Sequence, residues 1–322
     1  MRLSCSTQVG LIGVGNIGGA LAHSLLAVPG ISLLLYDIRK NLAKGKMKDL
    51  AHAHTIAYRH NVQLTLADSL DQVKKADIIV VMAGQTRQPG MDRSMLMQTN
   101  AQVLRGIGEG LRGTEAVVIV VTNPVDAMTQ WLGKCLDIPK NRILGMAGTL
   151  DEARFIGAVA KILELPKEDI SGTVIGAHNK TMVPLLSSLT WGGGALEHEQ
   201  IDRLLIGEVI ERTRKGGEEI VQLLDNGSAY FGPAEAIKSI IEAIMYDSKK
   251  CIRASVHIGD KMVGQTRLKD LCCGLPVQVG REGWSLQKSF SMNKEEDKMF
   301  ALSVESLRED WERLEEMEAH WQ

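Results

Sequence analysis

Arg87 and Arg93 flank a Pro-Gly pair in the stretch GQTRQPGMDR, directly after one of the most apolar runs in the chain. Pro and Gly mark turns and arginine is usually solvated, so an exposed loop is the plain reading of that stretch. The sharper reading is an anion clamp, because a planar guanidinium makes two parallel charge-assisted hydrogen bonds to a carboxylate. Three further stretches carry matching chemistry. Asp151 and Arg154, in GTLDEAR, share one helical face, where a surface ion pair is the simpler interpretation. His178, in GAHNKTMVP, can take and return a proton near neutral pH, although a lone histidine is more often packed or solvated. Asn123, in VTNPVD, can donate from its amide to a ligand oxygen, or cap the helix that follows.

A second kind of chemistry sits near the start. GVGNIG places Gly13, Gly15 and Gly18 in GxGxxG spacing after a strand-like segment and before a helix-like one. By itself the triplet is a weak signal; in that context, backbone N–H groups and a helix N-terminus face a pyrophosphate. Asp37 ends the next strand-like run, where a carboxylate accepts from both ribose hydroxyls and repels the extra phosphate of NADP. The expected cofactor is therefore NAD, with Arg39 close enough to Asp37 to keep NADP open.

These groups need elements to position them. Apolar runs at 8–15, 31–37, 62–68, 77–84, 116–123 and 142–148 alternate with helical patterns at 16–27, 40–57, 94–111 and 124–136. That alternation predicts parallel strands joined by crossover helices, a doubly wound sheet covered on both faces, with ligands beyond the carboxyl ends of the strands. After about residue 150 the pattern changes to a helix at 150–164, extended segments at 169–190, helices at 199–225 and 233–247, strands at 251–263 and 276–280, and a charged helix at 294–319. This predicts a second, α+β domain, with the division at 1–148 and 149–322.

The ordered set GVGNIG, Asp37, RQPGMDR, VTNP, TLDEAR, GAH and GSAYFGPA (227–234) resembles the lactate and malate dehydrogenase family over essentially the full chain. The resemblance implies a Rossmann domain and a catalytic domain. It makes His178 and Asp151 a proton-transfer pair, Arg154 the clamp on the substrate carboxylate, Arg93 the arginine of a closing loop, and Asn123 a second donor to the reacting oxygen. It also brings Asn16, Ile17, Asn100 and Asn123 next to the cofactor. Lactate-type members similar to this chain carry an uncharged residue such as glutamine where Arg87 stands, whereas malate-type members carry arginine. Arg87 therefore points to a dicarboxylate, and the small Ala229 agrees. Lactate or another 2-hydroxy acid remains the alternative substrate.

The chain departs from the family at His178-Asn179-Lys180, where the usual pattern is His-Gly-Asp. Asparagine tolerates a left-handed backbone, so Asn179 is expected to replace the glycine with modest strain. Lys180 is expected to weaken a contact, to act on His178 through like charge, or to point to solvent. The departure is the only support for a different class, an impaired NAD-binding protein with a structural or regulatory role.

Composition removes other classes. Lys and Arg number 37 against 39 Asp and Glu, a net charge of -2, so no basic field recommends a nucleic acid or an anionic membrane. The longest apolar runs fall short of the ~20 residues that span a bilayer. The N-terminal MRLSCST lacks the apolar region of a secretory signal, which gives a cytoplasmic expectation. The 5 cysteines lack paired CxxC spacing, so neither a disulfide framework nor a metal site is expected. The family resemblance implies a homodimer or homotetramer.

Overall fold

The computed structural model describes residues 6–58, 60–86, 92–196, 203–224, 227–287 and 290–321, with Arg93, Arg203 and Leu204 described in backbone only. Arg87 lies outside the described residues. The first elements in chain order are β1 (Thr7–Ile12), α1 (Asn16–Leu25), β2 (Ile31–Tyr36), α2 (Lys40–Ala57), β3 (Gln63–Leu66), α3 (Leu70–Val73), β4 (Ile78–Val81), α4 (Arg93–Leu111), β5 (Val117–Val120), α5 (Val125–Leu136) and β6 (Ile143–Met146). There follow α6 (Gly148–Leu163), β7 (Ile170–Ile175), β8 (Val183–Trp191), β9 (Gly194–Ala195), α7 (Arg203–Leu223), α8 (Phe231–Met245), β10 (Lys250–His257), β11 (Lys261–Val263), β12 (Thr266–Leu268), β13 (Cys272–Gly280), β14 (Gly283–Leu286) and α9 (Lys294–Ala319).

The chain divides into two compact units, one of residues 1–146, 229–250 and 279–284, the other of 147–228, 251–278 and 285–322. In the first, β3-β2-β1-β4-β5-β6 form a parallel sheet in that order. Strands β4 and β5 are buried at every position, as strands covered on both faces require. The order reverses at β1, which pairs with β2 on one side and β4 on the other. This is the doubly wound Rossmann arrangement, and its ligand crevice lies at that reversal. Helix α8 joins this unit through α1, where the Ser24 hydroxyl donates to Glu235.

The second unit is α+β. Strands β7, β8 and β9 form an antiparallel sheet, and β11 and β12 pair as a short hairpin. Helix α6 buries Asp151, Phe155, Ala158 and Val159, a stripe at helical spacing. Phe155 is fully buried and packs with Val159, Ile170, Val174, Leu189 and Val209. Truncating such a phenylalanine typically costs ~3–5 kcal/mol, so α6 is held firmly against β7, β8 and α7. Among the described residues no helix is long and apolar enough to cross a membrane.

Candidate active site

Asp151 occupies a place on α6 that its spacing gives to the apolar stripe, and it is 2% exposed. A buried carboxylate is costly unless partnered and hydrogen-bonded. Both oxygens have partners. Oδ2 lies 2.6 Å from Nδ1 of His178, and Oδ1 accepts from Nη1 of Arg154 at 3.0 Å. An ionised carboxylate only accepts, so the His178 bond places a ring proton on Nδ1 and, in the neutral ring, the lone pair on Nε2. The side chains of His178 and Arg154 are 18% and 17% exposed, enough for access yet dry enough to strengthen charge interactions.

The His178 loop leaves β7 through Gly176, whose backbone exchanges hydrogen bonds with Gly274. Helix α9 then grips the loop, as Ser303 Oγ accepts from the Ala177 N–H and Asn179 Nδ2 donates to Ser306 Oγ. Arg214 of α7 donates twice, from Nε and Nη2, to the carbonyl of Met182. Desolvation holds the Arg214 guanidinium below its usual pKa range. Nothing in the sequence marked Arg214, because a bond to a backbone carbonyl leaves no complementary residue to find.

The expectation for Asn179 needs correction. The described non-glycine residues with positive φ are Asp137, Glu164, Asp247, Lys249 and Asp270, so Asn179 does not use left-handed freedom. Its Oδ1 instead accepts from the backbone N–H and the hydroxyl of Thr181, a local side-chain turn. Lys180 takes the solvent option. Its side chain is 83% exposed and lies 3.8 Å from Glu218.

In the first unit, the three glycines of GVGNIG meet three different demands. Gly13 has φ +93, and a Cβ there would stand 2.7 Å from the Ala83 nitrogen. A Cβ on Gly18 would fall 2.2 Å from the Gly13 carbonyl, so strand and helix approach closely. Around Gly15 a Cβ would meet nothing within 4 Å, which leaves open space before the helix. Helix α1 begins at Asn16, followed by Ile17, with no side-chain cap on its first N–H groups. Its N-terminus therefore keeps its donors for an anion.

Asp37 is 8% exposed; Oδ2 accepts from the Val14 N–H at 2.8 Å and Oδ1 from the Arg39 N–H at 2.9 Å. The two bonds set the carboxylate beside the glycine turn. Arg39 reaches Asp37 with Nε at 3.4 Å while its side chain stays 65% exposed. Lys46, a residue the sequence reading passed over, donates from α2 to the Gly15 carbonyl. Burial lowers its pKa first, nearby Arg39 adds to that, and Asp37 opposes it.

Asn100 is fully buried on α4. Its Oδ1 accepts from the Gln85 N–H, and Nδ2 donates to the carbonyls of Gln85 and Asn123. Asn123 is exposed and does not cap α5, whose first turn follows Pro124 without a side-chain cap. Arg93 opens α4 behind the capping residue Asp92. Asp151, Arg154 and His178 are thus brought together in one unit, while the dinucleotide-type residues and Asn123 belong to the other.

A Rossmann sheet with an open glycine turn in one unit and an Asp-His-Arg cluster in the other define a nucleotide-linked oxidoreductase class. Residues 7–145 match the NAD binding domain of the lactate/malate dehydrogenase family, and residues 148–318 match its alpha/beta C-terminal domain. The chain belongs to that family. It is 39% identical over 315 residues to a malate dehydrogenase of Anaplasma marginale (strain Florida), covering 96% of this chain and 98% of the relative. Among solved structures, it is similar to the malate dehydrogenase of Cryptosporidium parvum, with a TM-score of 0.89, 31% identity, and 96% and 99% of the two chains covered. It is equally similar in shape to the lactate dehydrogenase of Cryptosporidium parvum, with a TM-score of 0.91 at 28% identity over 97% and 99% of the chains. Backbone shape therefore does not separate the two substrates.

Proposed function

We propose that this protein is an NAD-dependent malate dehydrogenase, interconverting malate and oxaloacetate as in the tricarboxylic acid cycle. The observation that carries the reading is the sharing of one buried carboxylate, Asp151, between His178 at 2.6 Å and Arg154 at 3.0 Å. Bound NAD supplies the acceptor for the hydride that leaves malate. His178 takes the hydroxyl proton at Nε2, the nitrogen opposite its bond to Asp151. The imidazolium that forms is balanced by Asp151, which also holds the ring in register. Arg154 grips the carboxylate next to the reacting carbon, using the edge of its guanidinium that Asp151 leaves open. Arg93 polarises the carbonyl of oxaloacetate in the return direction as its loop excludes water, and Asn123 adds a donor to the same oxygen.

The remaining assignments follow that frame. Residues 1–148 hold the cofactor and 149–322 act on the substrate. Gly13, Gly15, Asn16, Ile17 and Gly18 receive the pyrophosphate and Asp37 the ribose, a role its depth behind the turn supports. Asn100 serves the cofactor by holding the backbones of Gln85 and Asn123, since its own side chain is fully buried. Arg87 is the partner of the distal carboxylate. Exposed Ile56 on α2 and Phe231 on α8 are apolar surface that a homodimer or homotetramer would cover, and a cytoplasmic location completes the reading. The impaired-protein reading loses its support, because the His178 to Asp151 bond is made and Lys180 faces away into solvent.

Steady-state rates with oxaloacetate and pyruvate, each with NADH, test the proposal. Preference for oxaloacetate is the expected result. Preference for pyruvate would give the lactate alternative, and no turnover of either would leave only the fold.

A further inference from the structure

Glycine is costly inside a helix, yet α7 carries three, Gly207, Gly216 and Gly217. A methyl built on Gly207 meets nothing within 4 Å. The other two differ. On Gly217 it would stand 3.0 Å from Arg154 Nη2 and 3.4 Å from both Cζ and Nη1. These distances put that methyl out of the guanidinium plane at its Nη1/Nη2 end, nearest Nη2. On Gly216 it would stand 3.4 Å from Cδ, 3.5 Å from Cγ and 3.7 Å from Nε of Arg154, which is ordinary van der Waals contact. Of the pair, Gly217 is therefore the position where a side chain would crowd Arg154.

The rest of the Arg154 side chain's environment shows what that position does. Nη1 is pinned by Asp151 at 3.0 Å, while Nε is buried with no hydrogen-bond partner. A buried unpaired donor is expensive, and Nε shares with Nη2 the guanidinium edge that can take a carboxylate side-on. We propose that Gly217 is a positioning residue, whose lack of a side chain leaves the Arg154 guanidinium the place from which its Nε and Nη2 edge receives the substrate carboxylate. The inference rests on the reading of Arg154 as the clamp. It explains why a helix that gains from alanine keeps a glycine at 217, one turn from the Arg214 bond that holds the His178 loop.

The test compares Gly217→Ala and Gly217→Leu with Gly207→Ala as control, measuring KM and kcat for oxaloacetate, the NADH dissociation constant and Tm. Gly207→Ala should keep KM and hold or raise Tm. Gly217→Ala should raise KM about threefold or more with Tm held or raised, since it gains helix propensity while crowding the guanidinium. Gly217→Leu should lower kcat/KM by up to ~10²-fold, the scale of a displacement of about 1 Å in a reacting geometry. NADH binding should stay unchanged in all three. Wild-type KM in Gly217→Ala would overturn the proposal, even if the leucine variant fails to fold. A wild-type protein inactive on oxaloacetate would overturn both the clamp and its seat, which separates the two failures.

Discussion

His178 Nδ1 lies 2.6 Å from Asp151 Oδ2, although the two residues are 27 positions apart and enter from different elements. Helix α6 brings the carboxylate on its buried stripe, and the loop after β7 brings the ring. Asp151→Asn would keep the shape but replace an acceptor by a group that also donates, so the Nδ1 proton is no longer required. We expect kcat to fall by ~10²–10⁴-fold. KM for oxaloacetate should rise as well, because Arg154 loses its anchor. Unchanged pre-steady-state and steady-state rates would show the bond to be structural.

For His178→Ala the expectation is loss of most turnover, again ~10²–10⁴-fold, with NADH binding preserved. The dinucleotide-type residues belong to the other unit, so cofactor titration by fluorescence should match the wild type. A variant with near-normal kcat would remove His178 from the proton transfer.

Cofactor choice should follow Asp37. With its side chain 4% exposed and tied to Val14, it holds a fixed charge beside the glycine turn, which in the proposed reading faces the ribose and would repel the 2′-phosphate of NADPH. Wild-type kcat/KM should favour NADH, and Asp37→Ser should weaken NADH by roughly 10- to 150-fold, the equivalent of a charged hydrogen bond of about 1.5–3 kcal/mol. Equal use of the two cofactors by the wild type would refute the assignment.

For Lys180 the sequence left three roles open, and the structure takes the solvent one. A lysine two positions from His178 invites an electrostatic role, but its side chain is sent to solvent beside Glu218. Solvent screens such a charge. Lys180→Met should therefore leave kcat within roughly twofold and should not move the pH profile of malate oxidation. A displaced profile would mean that the lysine acts on the ring after all.

The strands of the Rossmann sheet were legible because each is a short apolar run between turn residues, buried from both sides, and β4 and β5 read so directly. Strand β11 was read as the end of a longer strand at 251–263 and β12 was not read, since Lys261–Val263 and Thr266–Leu268 are too short and mixed for a period to show. Helix α8 continues the second-half pattern in sequence but packs on α1, a pairing that no local periodicity encodes. Asp151 had a usable local signal, a carboxylate in step with Phe155 and Ala158 on an apolar stripe. Gly217 and Arg214 had none, because their partners are a guanidinium group and a backbone carbonyl brought close only by the fold.

In the proposed reading the selection of a dicarboxylate rests on Arg87, and the ratio of kcat/KM for oxaloacetate to that for pyruvate in Arg87→Gln tests it most directly. Losing the partner of a desolvated carboxylate costs about 2–5 kcal/mol, so oxaloacetate should fall roughly 30- to several thousand-fold. Pyruvate carries a methyl group in place of that carboxylate and should hold level or rise. Because a folding or loop defect depresses both substrates, a parallel fall, or an oxaloacetate rate that barely changes, would contradict the account and leave an unspecified 2-hydroxy acid dehydrogenase.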